Sequence, residues 1–190
     1  GVPLTEVTKE QRRRAKAVNF GIIYGISDFG LARDLGIPRW EAKDYITLYL
    51  ARYPKVAAYM RDIVAQGKQD GYVSTLLGRR RYLPELNSRN GNIRHFAERM
   101  ALNTPIQGTA ADILKIAMVH LAPRLKQENF QAKLLLQVHD ELIFDLPEAE
   151  IPALVPLLQE VMSHPIELAV PLEVEVKVGA DWYSMHKYER

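Results

Sequence analysis

Arg12, Lys16, Phe20 and Tyr24 recur every four residues in the stretch Thr8–Gly25, TKEQRRRAKAVNFGIIYG. In a helix each step of four drifts only ~40° at about 100° per residue, so these side chains share one face. Two cations stand at one end of that face and two aromatic rings at the other. Arg offers phosphate oxygens a planar fork of donors, and Lys a compact ammonium. Phe and Tyr offer flat surfaces to a sugar or base. A nucleoside triphosphate has the same polarity. An ordinary amphipathic helix with a solvated basic end also shows this spacing, so the pattern alone leaves both readings open.

Two further constellations carry chemistry. Gln137 to Leu142, QVHDEL, sets His139, Asp140 and Glu141 between apolar runs of strand length. Two buried strands meeting at such a tip would let Asp140 hold a hard cation such as Mg²⁺, which takes oxygen ligands. Charged residues at a hairpin tip are also common as plain solvated turns. Arg99, Asn103 and Gln107 lie four apart and should share a helix side, apart from what Pro105 does. Donors there suit the minor groove, where purine N3 and pyrimidine O2 acceptors occur in every base pair. The plainer alternative is a polar helix face with local caps. Arg79-Arg80-Arg81 reads equally as a solvated turn or as a contact to a phosphate backbone.

The elements that must position these groups follow from local signals. Thr8 with Gln11 forms a capping box for the first helix, whose Ala15, Val18 and Ile22 should pack on a core. Gly21 and Gly25 each cost about 1 kcal/mol of helix propensity, which implies a close approach to the backbone there. Ser27 caps a short helix that Gly36 ends. Pro38 opens another to about Arg52, and Tyr53-Pro54 separates it from a fourth running to about Lys68. Residues 72–76 and 80–83 read as a short hairpin, and 87–92 as a polar, flexible loop. A helix from Ile93 to about Gln127 should kink or restart at Pro105. Strands at 132–138 and 142–146, a helix from Glu148 to Ser163, and a half-buried strand LEVEVKV at 172–178 complete the chain. A helical lobe followed by strand-turn-strand-helix-strand is an α+β arrangement with a small antiparallel sheet.

Composition bounds the partners. The 190 residues make one large domain or two small lobes, and an apolar share of 47% allows a sizeable core. A net charge of +2 is too small to establish a nucleic-acid partner. Positive charge is nevertheless concentrated in the first hundred residues, at Arg12–Lys16, Arg79–Arg81, Arg89, Arg94 and Arg99, while 148–175 is mostly acidic. With no cysteine there is no disulfide or thiolate metal site, which suits a reducing cytoplasm. No apolar run reaches the ~18 residues of a membrane span, and a membrane partner is not expected. The opening GVPLTEVT has neither initiator Met nor targeting signal and reads as part of something longer.

Arg12-x3-Lys16-x3-Phe20-x3-Tyr24-Gly25, written RRRAKAVNFGIIYG, closely resembles motif B of the family A DNA polymerases, the DNA polymerase I type. HDE at 139–141 resembles motif C of that family. RMALNTPIQGTAADILK resembles its segment along the primer–template minor groove, and the likeness runs from GVPLTEVT to GADWYS. The resemblance implies a helical fingers subdomain at 1–90 and the C-terminal part of a palm, with a small antiparallel sheet, at 91–190. The implied reaction is 5′–3′ nucleotidyl transfer from dNTPs to a primer 3′-hydroxyl on a DNA template, in replication or repair. On this likeness Arg12 and Lys16 hold the dNTP triphosphate, and Lys16 is the candidate general acid for pyrophosphate. Phe20 stacks beside sugar and base, and Tyr24 flanks the templating position. Arg99, Asn103 and Gln107 contact the minor groove and His139 the primer terminus. Asp140 is the metal ligand, Glu141 assists, and two Mg²⁺ ions serve the intact enzyme.

The sequence departs from the family at one place. No aspartate lies in a DYSQIELR-like motif A, which supplies the second metal-binding carboxylate. The chain alone is therefore expected to be inactive, as an excised fragment or one part of a split enzyme. Its partners would be primer–template DNA, dNTP and the remaining polymerase chain with motif A and thumb. The cytoplasm, at the bacterial nucleoid, or an organelle is the expected compartment. The competing classes are a non-catalytic nucleic-acid-binding module and a purely structural helical domain.

Overall fold

Thr8 Oγ1 accepts from the Gln11 amide at 3.2 Å, and the Thr8 amide donates to Gln11 Oε1 at 2.9 Å. This reciprocal pair is the expected capping box, and it starts helix α1 (Lys9–Ile23). The computed structural model describes residues 2–189. These form two compact units, 2–109 and 110–189.

In the first unit Ser27 Oγ accepts from the Gly30 amide and opens α2 (Asp28–Leu35), which ends at Gly36 with φ +65°. Then come α3 (Arg39–Arg52) after Pro38 and α4 (Pro54–Asp70), which starts on its proline. Leu31, Leu35 and Ala42 are buried between α2 and α3, with Ala17 and Val18 of α1 packed against them. Ile22 is also buried. Ala15, expected beside these, is exposed instead, because a groove rather than a packed neighbour lies alongside it. Strands β1 (Tyr72–Ser74) and β2 (Arg80–Tyr82) pair antiparallel in the expected hairpin. Val73, Leu83 and Leu86 form a second core with Ala97 and Ala101 of α5 (Gly91–Gln127). The polar cluster at 87–92 holds its own hydrogen bonds: Asn90 Oδ1 accepts from the Asn92 and Ile93 amides, and Arg94 donates to the Ser88 carbonyl.

Helix α5 runs through Pro105 without the expected restart. Proline removes the amide that would bond the Ala101 carbonyl. Hydroxyls on either side bond back into the helix, Thr104 to the Met100 carbonyl and Thr109 to that of Pro105. A single lost bond inside a helix of this length does not end it.

The second unit buries Leu154, Leu157, Leu158 and Val161 of α6 (Ile151–Ser163) against Leu121, Leu125 and Ala132. Strands β3 (Lys133–Val138) and β4 (Glu141–Asp145) pair antiparallel, with Phe144 and Leu142 packed on that core. They are not the buried strands expected: Leu135 and Leu136 are 56% and 51% exposed. An apolar strand is buried only where something covers it, and among the described residues nothing covers this stretch. The expected strand 172–178 shows the same limit. Leu172, Val174, Val176 and Val178 are half-buried and their neighbours exposed, the alternation its sequence requires. Only Lys177–Val178 (β5) finds a ladder, with His186–Lys187 (β6). The chain is α+β, mostly helical with small antiparallel sheets.

Candidate nucleotide and nucleic-acid site

The basic end of α1 sorts its cations. Glu10 takes Arg13 with two bonds of 2.8 Å and Arg14 with one of 3.2 Å. The Arg13 bonds, and then that of Arg14, hold the Glu10 carboxyl down at about 2. Arg12 and Lys16 are exposed and have no ion pair among the described residues. Lys16 Nζ stands 5.7 Å over the Phe20 ring, and Phe20 stacks on Tyr24 with centroids 6.2 Å apart at 24°. Tyr24 is the C-cap of α1 rather than part of its regular turns. The four expected residues thus form one continuous run from bare cations to stacked rings.

Sequence reasoning missed three neighbours of that run. A groove of about 960 Å³ is lined by Arg12, Lys16 and Phe20 of α1 together with Tyr45, Tyr49 and Tyr53 of the α3 side. Tyr49 donates to Asn19 Oδ1 at 2.6 Å, and its ring lies 4.9 Å from that of Tyr53. Burial, and next the Tyr53 hydroxyl, push the Tyr49 phenol above its ordinary value. The signal was the spacing of four between successive tyrosines, the same one that marked α1.

In the same unit the end of the α1 motif meets α5. Gly25 has φ +76°, and a Cβ there would lie 2.9 Å from Leu102 Cδ1 and 3.2 Å from Arg99 Cγ. The close approach implied by this glycine is therefore made by the protein's own α5. Arg99 holds its guanidinium 5.6 Å over Phe96. Gln107 is exposed, and the buried Asn103 Oδ1 has no hydrogen-bond partner among the described residues. A buried acceptor left unmade costs about 1–3 kcal/mol.

His139, Asp140 and Glu141 belong to the second unit. His139 takes φ +53°, uncommon for a residue with a side chain, at the tight turn between β3 and β4. Gln137 Nε2 donates to its carbonyl at 2.8 Å and fixes that turn. Asp140 and Glu141 are exposed, with no ion pair among the described residues. No three His, Asp or Glu side chains gather into a metal-holding cluster among those residues. The donor chemistry suits a hard cation, but the set among the described residues is too small to enclose one.

No helix among the described residues is long and apolar enough to cross a membrane. Residues 1–184 match the family model described as DNA polymerase family A. The chain is 59% identical over 179 residues to DNA polymerase I of Bacillus subtilis (strain 168), covering 94% of this chain and 20% of that protein. It is 58% identical over 179 residues to DNA polymerase I of Bacillus caldotenax, again 94% of this chain and 20% of the relative. Among solved structures it resembles the polymerase domain of Pol1 from M. smegmatis in complex with DNA primer-template and dNTP. The TM-score is 0.87 at 50% identity, over 90% of this chain and 30% of that one.

Proposed function

The chain belongs to DNA polymerase family A, and from that membership we propose that it supplies the fingers (1–90) and the C-terminal part of the palm (91–190) of a template-directed DNA polymerase. In that enzyme it would take part in 5′–3′ nucleotidyl transfer from dNTPs to a primer 3′-hydroxyl in replication or repair. The chain spans 20% of the length of the curated relatives it matches, so the whole activity is that of a larger assembly.

The observation that carries this reading is the contrast on α1 between Arg13 and Arg14, held by Glu10, and Arg12 and Lys16, which have no ion pair among the described residues, Lys16 lying over Phe20. Arg12 and Lys16 hold the triphosphate, and Lys16 lends a proton to the pyrophosphate leaving group. Phe20 packs beside sugar and base, and Tyr24 flanks the templating position. Arg99, Asn103 and Gln107 face the minor groove, where donors check pair geometry without reading sequence. His139 sits by the primer terminus. The 3′-hydroxyl attacks the α-phosphorus in line with the departing pyrophosphate.

Metal dependence is a property of the family. Asp140 has the carboxylate chemistry to ligate Mg²⁺, with Glu141 assisting, and the ion would neutralise charge on the phosphate oxygens. Two such ions need carboxylates beyond these, so residues 1–190 are inactive alone. The working compartment is the cytoplasm, at the nucleoid.

The test adds a segment carrying motif A and thumb, in trans or fused, and assays primer extension. Extension that depends on both pieces supports the reading. Saturable dNTP and DNA binding without extension favours a non-catalytic nucleic-acid-binding module. No saturable dNTP-induced shift of Lys16 by NMR leaves a purely structural helix.

A further inference from the structure

The arginine run at the β1–β2 hairpin has no role in the proposed site, yet the hairpin is fastened beside it. Thr75 is buried, and a Cβ on Gly108 would lie 2.6 Å from Thr75 Cγ2, so hairpin and α5 touch at a point only glycine permits. The Leu76 amide also donates to Thr109 Oγ1 at 2.9 Å. Register then divides the arginines. Val73 faces the core and pairs with Arg81, which places Arg81 on the α5 side of the ribbon. Arg80 falls on the outer side with Tyr72 and Tyr82, its guanidinium 4.5 Å over the Tyr72 ring.

Arg81 reaches α5 at Thr104 Oγ1 (3.5 Å) and Met100 Sδ (3.3 Å), both long or weak contacts that leave most of its five donors unspent. On the helical wheel Met100 lies ~20° and Thr104 ~60° beyond Gln107, so Arg81 borders the face carrying Arg99, Asn103 and Gln107. Neither Arg80 nor Arg81 has an ion pair among the described residues, and both are exposed. The hairpin thus holds two guanidinium groups without ion pairs among the described residues along the edge of a face that would lie in a minor groove. Sugar–phosphate backbone is what borders such a groove, and phosphate is what a planar guanidinium fork matches.

We infer that the β1–β2 hairpin is a DNA-backbone clamp, in which Arg81 and Arg80 grip phosphates flanking the minor groove read by α5 and so position the duplex. The inference rests on the minor-groove reading of α5. The ring-stacked Arg80 loses little freedom on binding, which favours fixed register over a diffuse attraction.

The experiment measures binding of a fluorescent primer–template duplex to the full chain across a salt series. Arg80→Ala, Arg81→Ala, the double variant and Asn103→Ala are compared, each checked by thermal melting. Each lost phosphate contact should lower the slope of log K against log salt by about 0.9, and the double variant by about twice that. Arg81→Lys should restore the slope, whereas Asn103→Ala should weaken binding at unchanged slope. An unchanged slope in folded Arg80→Ala/Arg81→Ala, with Asn103→Ala still weakened, overturns the clamp and leaves the minor-groove reading standing. No saturable binding by the unaltered chain at any salt overturns both.

Discussion

Gly25 and Leu102 meet so closely that a methyl group on Gly25 would lie 2.9 Å from Leu102 Cδ1. The junction fixes the end of α1, where Tyr24 stands, against the turn of α5 that carries Arg99. Two costs therefore fall on Gly25→Ala, a steric one and the strain of φ +76°. The expected destabilisation is about 1–3 kcal/mol, read by denaturant unfolding. In a Leu102→Ala background the space opens but the backbone strain remains, so the same substitution should cost less without becoming neutral.

Lys16→Ala should weaken dNTP binding about tenfold, or ~1.4 kcal/mol, the scale of one lost charged contact. Arg13→Ala is the informative control, because Glu10 already occupies that guanidinium. Titration of dNTP followed by fluorescence should separate the two. Equal losses would mean that overall charge, and not the unpaired face, attracts the nucleotide.

Much of this arrangement was legible because its causes are local. Thr8 with Gln11, Ser27 and Gly36 set helix ends by bonds spanning a few residues, so the sequence carries them whole. Features that depend on a distant neighbour were not legible. LEVEVKV has a strand's alternation, but a ladder needs a second strand, and only Lys177–Val178 has one. Leu135 and Leu136 read as buried for the same reason. Pro105 read as a kink or a restart because its lost bond is a local fact, whereas the continuity of the helix through it is a property of the whole of α5. The tyrosines at 45, 49 and 53 were visible as a stripe, but only the position of α3 beside α1 turns them into a wall of the groove.

Acid should loosen the packing of α4 on α5. Glu98 accepts from Lys68 Nζ at 2.7 Å and is bonded to His95 Nδ1 at 2.9 Å. Burial alone would raise the Glu98 carboxyl, but the Lys68 and His95 bonds outweigh it and hold it below the ordinary 4.5. A carboxyl lowered on folding stabilises the folded state above its unfolded value, and that stability is lost as pH falls through the folded value. The denaturation midpoint should decline below about pH 4.5, and Glu98→Gln should flatten that part of the profile. An identical acid limb in wild type and variant would place the sensitivity elsewhere.

Tyr49→Phe removes the hydroxyl that reaches Asn19 Oδ1 and keeps the ring beside Tyr53. It should cost about 0.5–1.5 kcal/mol of stability, because α3 loses one hydrogen bond to α1. Tyr49→Ala should cost more, since the groove also loses an aromatic wall. If the bond fixes where α1 presents Phe20, the phenylalanine variant should also weaken dNTP binding slightly while leaving the salt dependence of DNA binding unchanged. A stability loss with dNTP affinity intact would make Tyr49 a packing residue only.

Asp140→Asn separates the carboxylate's charge from its shape. In an assembly restored to primer extension by a motif A segment, the neutral amide keeps the turn and removes the anion that would ligate Mg²⁺. A metal contact at the reacting phosphate is worth several kcal/mol, so extension should fall by roughly a hundredfold or more, and higher Mg²⁺ should recover only part of it. Glu141→Gln should lose less, because Glu141 opens β4 paired with Val138 and only assists. DNA affinity should hardly change in either variant, since neither side chain grips a phosphate directly. Equal activity of Asp140→Asn and the unaltered chain at limiting Mg²⁺ would remove Asp140 from the metal site and leave the hairpin tip a solvated turn.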